Sequence, residues 1–183
     1  DNTNVHAIKN LALLYFQDKD YANAVDHYQM LYALSAREKS LSVMNQLAIC
    51  YMHLNDSKAC KRFMQESLAV DASQAIVYKI KGDLAYKNST YDEAVKAYEQ
   101  ALSLNAKMPF VLKRMADVKM LSGDSAGAVE YWELALMERP EWVEILNNIA
   151  WLCAAHPEAP YYDPQKALNY SVKATELSPN NLN

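Results

Sequence analysis

Glycine occurs three times and proline six times in 183 residues, which removes most of the usual turn punctuation. Ala, Leu, Lys, Glu, Met and Tyr recur throughout instead, a composition that favours helix and predicts an all-α chain. Cysteine is equally sparse. Cys50, Cys60 and Cys153 fall in no CxxC or metal-ligand spacing, and an odd count excludes a complete disulfide framework, so they read as small core residues. A basic excess is missing as well. Eighteen Lys and Arg against 22 Asp and Glu leave a net charge of -4, which gives no general attraction to phosphate backbones and argues against nucleic acid as a partner. No apolar run approaches the roughly 18 residues that a membrane span requires, so no membrane insertion is expected. The first residues, Asp1-Asn2-Thr3-Asn4, lack the basic and apolar regions of a signal peptide. The chain reads as soluble, in cytoplasm or periplasm, but it opens on Asp rather than Met and the compartment stays open.

Signatures of chemistry are also lacking. There is no Gly-rich phosphate loop, GxSxG elbow or HExxH helix, and no two of His6, His27, His53 and His156 have the i,i+3 or i,i+4 spacing of a helical metal site. Paired acids such as Asp92 and Glu93 fall at a helix start, where the dipole accounts for them. No cofactor and no enzymatic activity are expected.

What the chain has is periodicity. Small residues recur at Ala12, Ala48, Gly82, Ala116 and Ala150, the last three gaps being 34 residues each. A second small series, Ala24, Cys60, Ala94, Ala128 and Ala167, follows twelve residues behind the first in four copies and seventeen behind in the last. Two helices close to about 8 Å only where side chains at the crossing are small, so one small residue per helix marks a tight helical hairpin. Asp20, Asp56, Thr90, Asp124 and Asp163 stand four residues before each member of the second series, and all five are good N-cap types. Thr90-Tyr91-Asp92-Glu93 reads as a capping box, and Asp163-Pro164 places proline at a first helical position. Apolar residues such as Ile8, Leu11, Ala12 and Tyr15, then Val25, Tyr28 and Leu31, keep helical spacing. A hairpin of this size cannot bury that face alone, so the units must stack.

The period and the residue pattern resemble the tetratricopeptide repeat. The fourth copy matches its pattern with Leu112, Met115, Ala116, Ala128, Trp132, Ala135 and Pro140, and the third with Tyr78, Gly82, Ala94, Tyr98 and Ala101. Ala85, Lys119 and Cys153 replace the usual tyrosine at repeat position 11. Leu31 and Ser67 stand where the second helix usually has alanine. The resemblance implies a right-handed superhelical solenoid forming one domain over 1–183, with repeats at 5–38, 41–74, 75–108, 109–142 and 143–181. The last has an inter-helix turn lengthened by five residues, a variant similar to one in bacterial relatives.

The resemblance also implies a concave groove lined by first-helix side chains. At repeat position 12 these are Phe16, Met52, Tyr86, Met120 and Ala154; at position 5, Lys9, Asn45, Lys79, Lys113 and Asn147; at position 9, Leu13, Ile49, Asp83, Asp117 and Trp151; and at position 2, Phe110. The apolar stripe at position 12 suits an adaptable peptide-binding surface, or else packs on neighbouring repeats. Lys79 with Asp83 and Lys113 with Asp117 are surface ion pairs, or supply lysines to an acidic peptide. The carboxylate clamp known in the family is not supplied, because Leu13, Gln46, Ile76 and Ile80 occupy its positions. In the lengthened fifth turn, Tyr161 and Tyr162 offer a second contact or close the last apolar layer. Ser178 to Asn183 resembles a junction between repeats. Leu168, Val172 and Leu177 would then be left exposed, which suggests self-association. The expected function is that of a scaffold or adaptor binding a protein or peptide segment; the alternative is a spacer arm within a larger repeat protein.

Overall fold

A computed structural model describes residues 2–34, 40–155 and 157–178, with side chains from Asn4 onward. His156 and the Pro179 to Asn183 part of the closing stretch lie outside the described residues. Ten helices form among them: α1 (Asn2–Gln17), α2 (Tyr21–Leu34), α3 (Leu41–His53), α4 (Ser57–Val70), α5 (Ala75–Lys87), α6 (Tyr91–Leu104), α7 (Pro109–Leu121), α8 (Ser125–Glu138), α9 (Val143–Ala155) and α10 (Pro164–Leu177). Each odd-numbered helix pairs with the even-numbered one after it. Four of the five odd-numbered helices start where the repeat pattern places them, at Leu41, Ala75, Pro109 and Val143. Every even-numbered helix starts one residue after its expected cap.

The caps work in four copies. Asp20, Asp56, Asp124 and Asp163 accept from the backbone N–H three residues on, at 3.2, 2.9, 2.9 and 2.9 Å. Thr90 departs from the capping box. Its hydroxyl donates instead to the Ala85 carbonyl at 3.1 Å, a second bond to an oxygen at the end of α5, and to Glu93 Oε2 at 3.4 Å.

The turn inside each hairpin repeats one backbone device. The cap residue's N–H returns to the carbonyl of repeat position 11: Asp20 to Tyr15, Asp56 to Tyr51, Thr90 to Ala85 and Asp124 to Lys119, at 2.8 to 3.0 Å. The residue before each cap is left-handed, with φ of 61° at Lys19, 64° at Asn55, 59° at Ser89 and 80° at Gly123. Only one of these is glycine; asparagine also visits this region readily, so the chain tolerates about 1–2 kcal/mol of strain at Lys19 and Ser89 to close the hairpin. In the fifth copy Asp163 N–H reaches the Cys153 carbonyl at 3.0 Å. The hydrogen-bond register of the hairpin is therefore kept across the lengthened turn.

The described residues divide into two compact units, one through Leu104 with three hairpins and one from Asn105 with two. In the first, α2 packs on α3, α4 on α5, and α3 also touches α5. Ala12, Ala24, Ala48, Cys60 and Ala94 are wholly buried there. Gly82 is needed at its crossing: a Cβ would stand 3.0 Å from Tyr98 Cζ and closer still to the ring edge. Ser67, where the pattern usually has alanine, donates to Asn45 Oδ1 at 2.7 Å. Gln74 Nε2 donates to the Ser67 and Asp71 carbonyls at 3.0 and 2.8 Å, which ties the turn between α4 and α5. In the second unit α8 packs on α9, and Ala116, Ala128 and Ala135 lie buried with Trp132 and Ile149.

Candidate functional site

In the first unit the contact of α3 with α5 sets consecutive first helices side by side, so their side chains share a face. Lys9 and Leu13 of α1 are exposed and Ile49 of α3 is half-buried. Asp83 accepts from Lys79 Nζ at 2.5 Å and from Tyr98 Oη at 2.8 Å, so its carboxylate is tied both to α5 and to the buried ring of α6. The position-12 side chains pack more than they project. Phe16 sits edge-on to Tyr21 and Tyr28, and Tyr86 edge-on to Tyr91, with centroids 5.7, 6.5 and 5.7 Å apart. Met52 is only 8% exposed, and its carbonyl accepts from Lys87 Nζ at 2.8 Å. Asn45 is engaged too, since its Nδ2 donates to Gln74 Oε1 at 2.9 Å. Of the expected groove residues on these helices, Lys9 and Leu13 are thus exposed and Ile49, Phe16 and Tyr86 half-buried.

His53 shares the end of α3 and was not singled out by any motif. Its ring stacks on Tyr21 with centroids 4.2 Å apart and planes 4° from parallel. Burial against that ring, reinforced by the Lys87 charge, lowers its pKa below the ordinary histidine value.

In the second unit Lys113 lies between Asp117 at 3.2 Å and Glu144 at 3.1 Å, and Arg114 adds a contact to Asp117 at 3.3 Å. Met120 is half-buried and Asn147 exposed. Phe110 is exposed but not isolated. Its ring meets Trp142 at 5.0 Å and 63°, and the Arg139 guanidinium lies 5.6 Å from the one ring and 4.8 Å from the other. This cluster was illegible in the sequence because Arg139 and Trp142 sit in the turn between α8 and α9 while Phe110 is on α7. Two separate expectations converge at the last hairpin. Trp151, 63% exposed, and Tyr162 of the lengthened turn line one cleft of about 420 Å³ with Leu168 of α10. Tyr161 is half-buried and Tyr162 exposed.

The titratable groups are arranged for structure. Burial pushes the Cys50 and Cys60 thiols up to about 12 and about 11, and raises that of Cys153. Glu133 accepts from Tyr170 Oη at 3.1 Å and pairs with Lys166 at 2.7 Å. Burial and that carboxylate raise the phenol to about 12, while the Glu133 hydrogen bond also raises the lysine. Both groups are thus held in their ordinary protonation states, unlike an acid–base pair poised near neutrality. Among the described residues no three His, Cys, Asp or Glu side chains gather as a metal site, and no helix is long and apolar enough to cross a membrane.

Comparison with known proteins agrees with this architecture. The tetratricopeptide repeat family profile matches residues 77–108, which cover most of α5, the turn after it and all of α6. The photosystem I assembly protein Ycf3 of Synechococcus elongatus is 31% identical over 124 residues, covering 60% of this chain and 70% of that protein. The chain belongs to the tetratricopeptide repeat family. Ycf3 of Prochlorococcus marinus is 32% identical over 85 residues, covering 45% of this chain, and the match spans about half of that protein's length, 49%. Among solved structures, MamA from residue 41 onward of Desulfovibrio magneticus RS-1 aligns with a TM-score of 0.69 at 13% identity, covering 98% of this chain and 97% of that one. A second MamA crystal structure gives 0.69 at 18% identity over 92% and 95%. At such identities the likeness is one of fold: an all-α array of tetratricopeptide hairpins.

Proposed function

We propose that this tetratricopeptide chain is a protein-interaction scaffold that holds a partner segment on the faces of its first helices and performs no chemistry on it. The observation that carries this reading is the contact of α3 with α5, which joins first-helix side chains of consecutive repeats into one surface while the even-numbered helices complete the hairpins behind them. Among the first-helix side chains, Asp83 and Asn45 are fixed by internal bonds, while Lys9 and Leu13 of α1 face solvent. A rigid floor with exposed anchors lowers the entropy lost on binding. Ycf3 is named for the assembly of photosystem I; by analogy, this chain brings a partner protein into an assembly. The test is capture from source lysate by the native chain, by a Lys9→Glu/Leu13→Glu variant and by a Lys96→Glu control on the exposed side of α6. Loss of a specific partner in the first variant alone supports the face. Equal recovery by all three removes it.

A second reading has its own observation. Leu168, Val172 and Leu177 of α10 are exposed, and Leu168 shares its cleft with Trp151. An apolar end face of this kind fits stacking against a further repeat or a second copy, the spacer or oligomer role. Light scattering at high concentration distinguishes the cases. A dimer mass that returns to monomer in Leu168→Glu supports self-association; a monomer mass throughout excludes it.

A further inference from the structure

The third repeat departs from its predecessor at several interior positions at once, and most of those departures meet in one cleft. The junction of α4 with α5 and α6 corresponds in register to the junction of α2 with α3 and α4. In the earlier junction the space is filled. Tyr51 stacks on Phe63 with centroids 5.7 Å apart and planes 7° from parallel, Gln29 Nε2 donates to the Tyr51 hydroxyl, and Val25 and Leu47 are buried. In the later junction Ala85 stands for Tyr51, Ala97 for Phe63, Lys61 for Val25 and Lys81 for Leu47, while Gln65 repeats Gln29.

The result is an opening of about 280 Å³ with Met64, Val77, Leu84 and Ala85, all nearly buried, at its base. An apolar cavity of about 150 Å³ is enough for a benzene ring. Gln65, Lys61 and Lys81 also line it and are exposed. Neither lysine enters an ion pair among the described residues, and the one carboxylate lining the cleft, Glu93, accepts a hydrogen bond from Thr90. The groove candidates on α5, Lys79, Asp83 and Tyr86, do not line it, so the cleft is separate from the first-helix face.

We propose that this cleft receives the side chain of a tyrosine from an acidic segment of a partner protein. The phenol ring occupies the space that Tyr51 fills one repeat earlier, its hydroxyl accepts from Gln65 as Tyr51 does from Gln29, and flanking carboxylates meet Lys61 and Lys81. Two apolar-to-lysine changes in the lining of a cleft that lacks the ring of Tyr51 are accounted for together by such a ligand.

The test titrates the full chain with acetyl-Glu-Tyr-Glu-amide, acetyl-Lys-Tyr-Lys-amide, acetyl-Glu-Ala-Glu-amide and 4-methylphenol, followed by amide shifts at Met64, Leu68 and Ala85. The acidic tyrosine peptide is expected to bind at least about tenfold tighter than the basic one, with the preference shrinking at high salt. The alanine peptide should show no saturable shift. Ala85→Tyr, which restores the missing ring, should abolish binding while circular dichroism stays helical; Ala85→Leu serves the same purpose if the larger side chain prevents folding. Undiminished binding to the filled variant overturns the proposal, as does the absence of shifts with any tyrosine peptide. Saturable 4-methylphenol binding with no gain for the acidic peptide assigns the cleft to small phenols and overturns it equally.

Discussion

Replacing Gly82 by alanine adds one methyl group at the crossing of α5 and α6. The Tyr98 ring against which it would press is wholly buried, and its hydroxyl is held by Asp83, which also holds Lys79. The ring therefore cannot swing aside without giving up a bond in a packed layer. Inserting a methyl group into such a layer costs about 1–3 kcal/mol, and the better helix propensity of alanine returns about 1 kcal/mol. With the ring edge closer than 3.0 Å the upper part of that cost, about 2–3 kcal/mol, applies, and a net loss of about 1–2 kcal/mol is expected for Gly82→Ala. In urea unfolding followed by far-ultraviolet circular dichroism, that loss lowers the midpoint by roughly 0.5–1 M. Combining it with Tyr98→Leu, which removes the obstructing ring, should give a double variant that loses less than the sum of the two single losses. If Gly82→Ala is as stable as the parent or more so, or if the two losses simply add, the close crossing is not what selects glycine there.

Four further outcomes follow from the geometry. Asp163→Ala removes the acceptor of the Lys166 N–H and should lower stability by about 1 kcal/mol, measured in urea, whereas Asp163→Asn should lose little. Gln74→Ala leaves the Asn45 amide and the Ser67 and Asp71 carbonyls short of a partner, with an expected loss of about 1–3 kcal/mol by the same assay. Because the folded-state pKa of His53 lies below the ordinary value of 6.5, protonation favours the unfolded chain: its contribution is complete above about pH 6.5 and is lost as pH falls from there toward the folded value. His53→Gln should flatten the fall of thermal stability across that window, and an unchanged pH profile would refute the assignment. Cys50 and Cys60 should resist a thiol-reactive disulfide at pH 8 in the native protein and react promptly in denaturant.

The sequence carried the hairpin plan because its signals are local. An Asp or Thr at each cap and a small residue at each crossing are read within one helical turn, and the even-numbered helices start one residue after those caps. The left-handed residues were hidden because Lys19, Asn55 and Ser89 occupy positions where glycine is the usual marker. Ser67 was visible as a departure, but its explanation lies in Asn45 and Gln74, 22 and seven residues away. The candidate face was half legible. Register placed Leu13, Asp83 and Trp151 on the first helices, yet the burial of Met52 depends on how the neighbouring hairpin packs. The meeting of Trp151 with Tyr162 depends on the path of the lengthened turn, which residue spacing does not encode.

The central claim is that a partner lies on the first-helix face. Site-specific photo-crosslinking in the source cells tests it most directly, with a benzophenone amino acid placed at Leu13, Ile49 or, as control, Lys96. The account predicts one common crosslinked partner from positions 13 and 49 and none from 96. The same partner captured only from 96, or no adduct from 13 and 49 while the protein is folded and expressed, would contradict it.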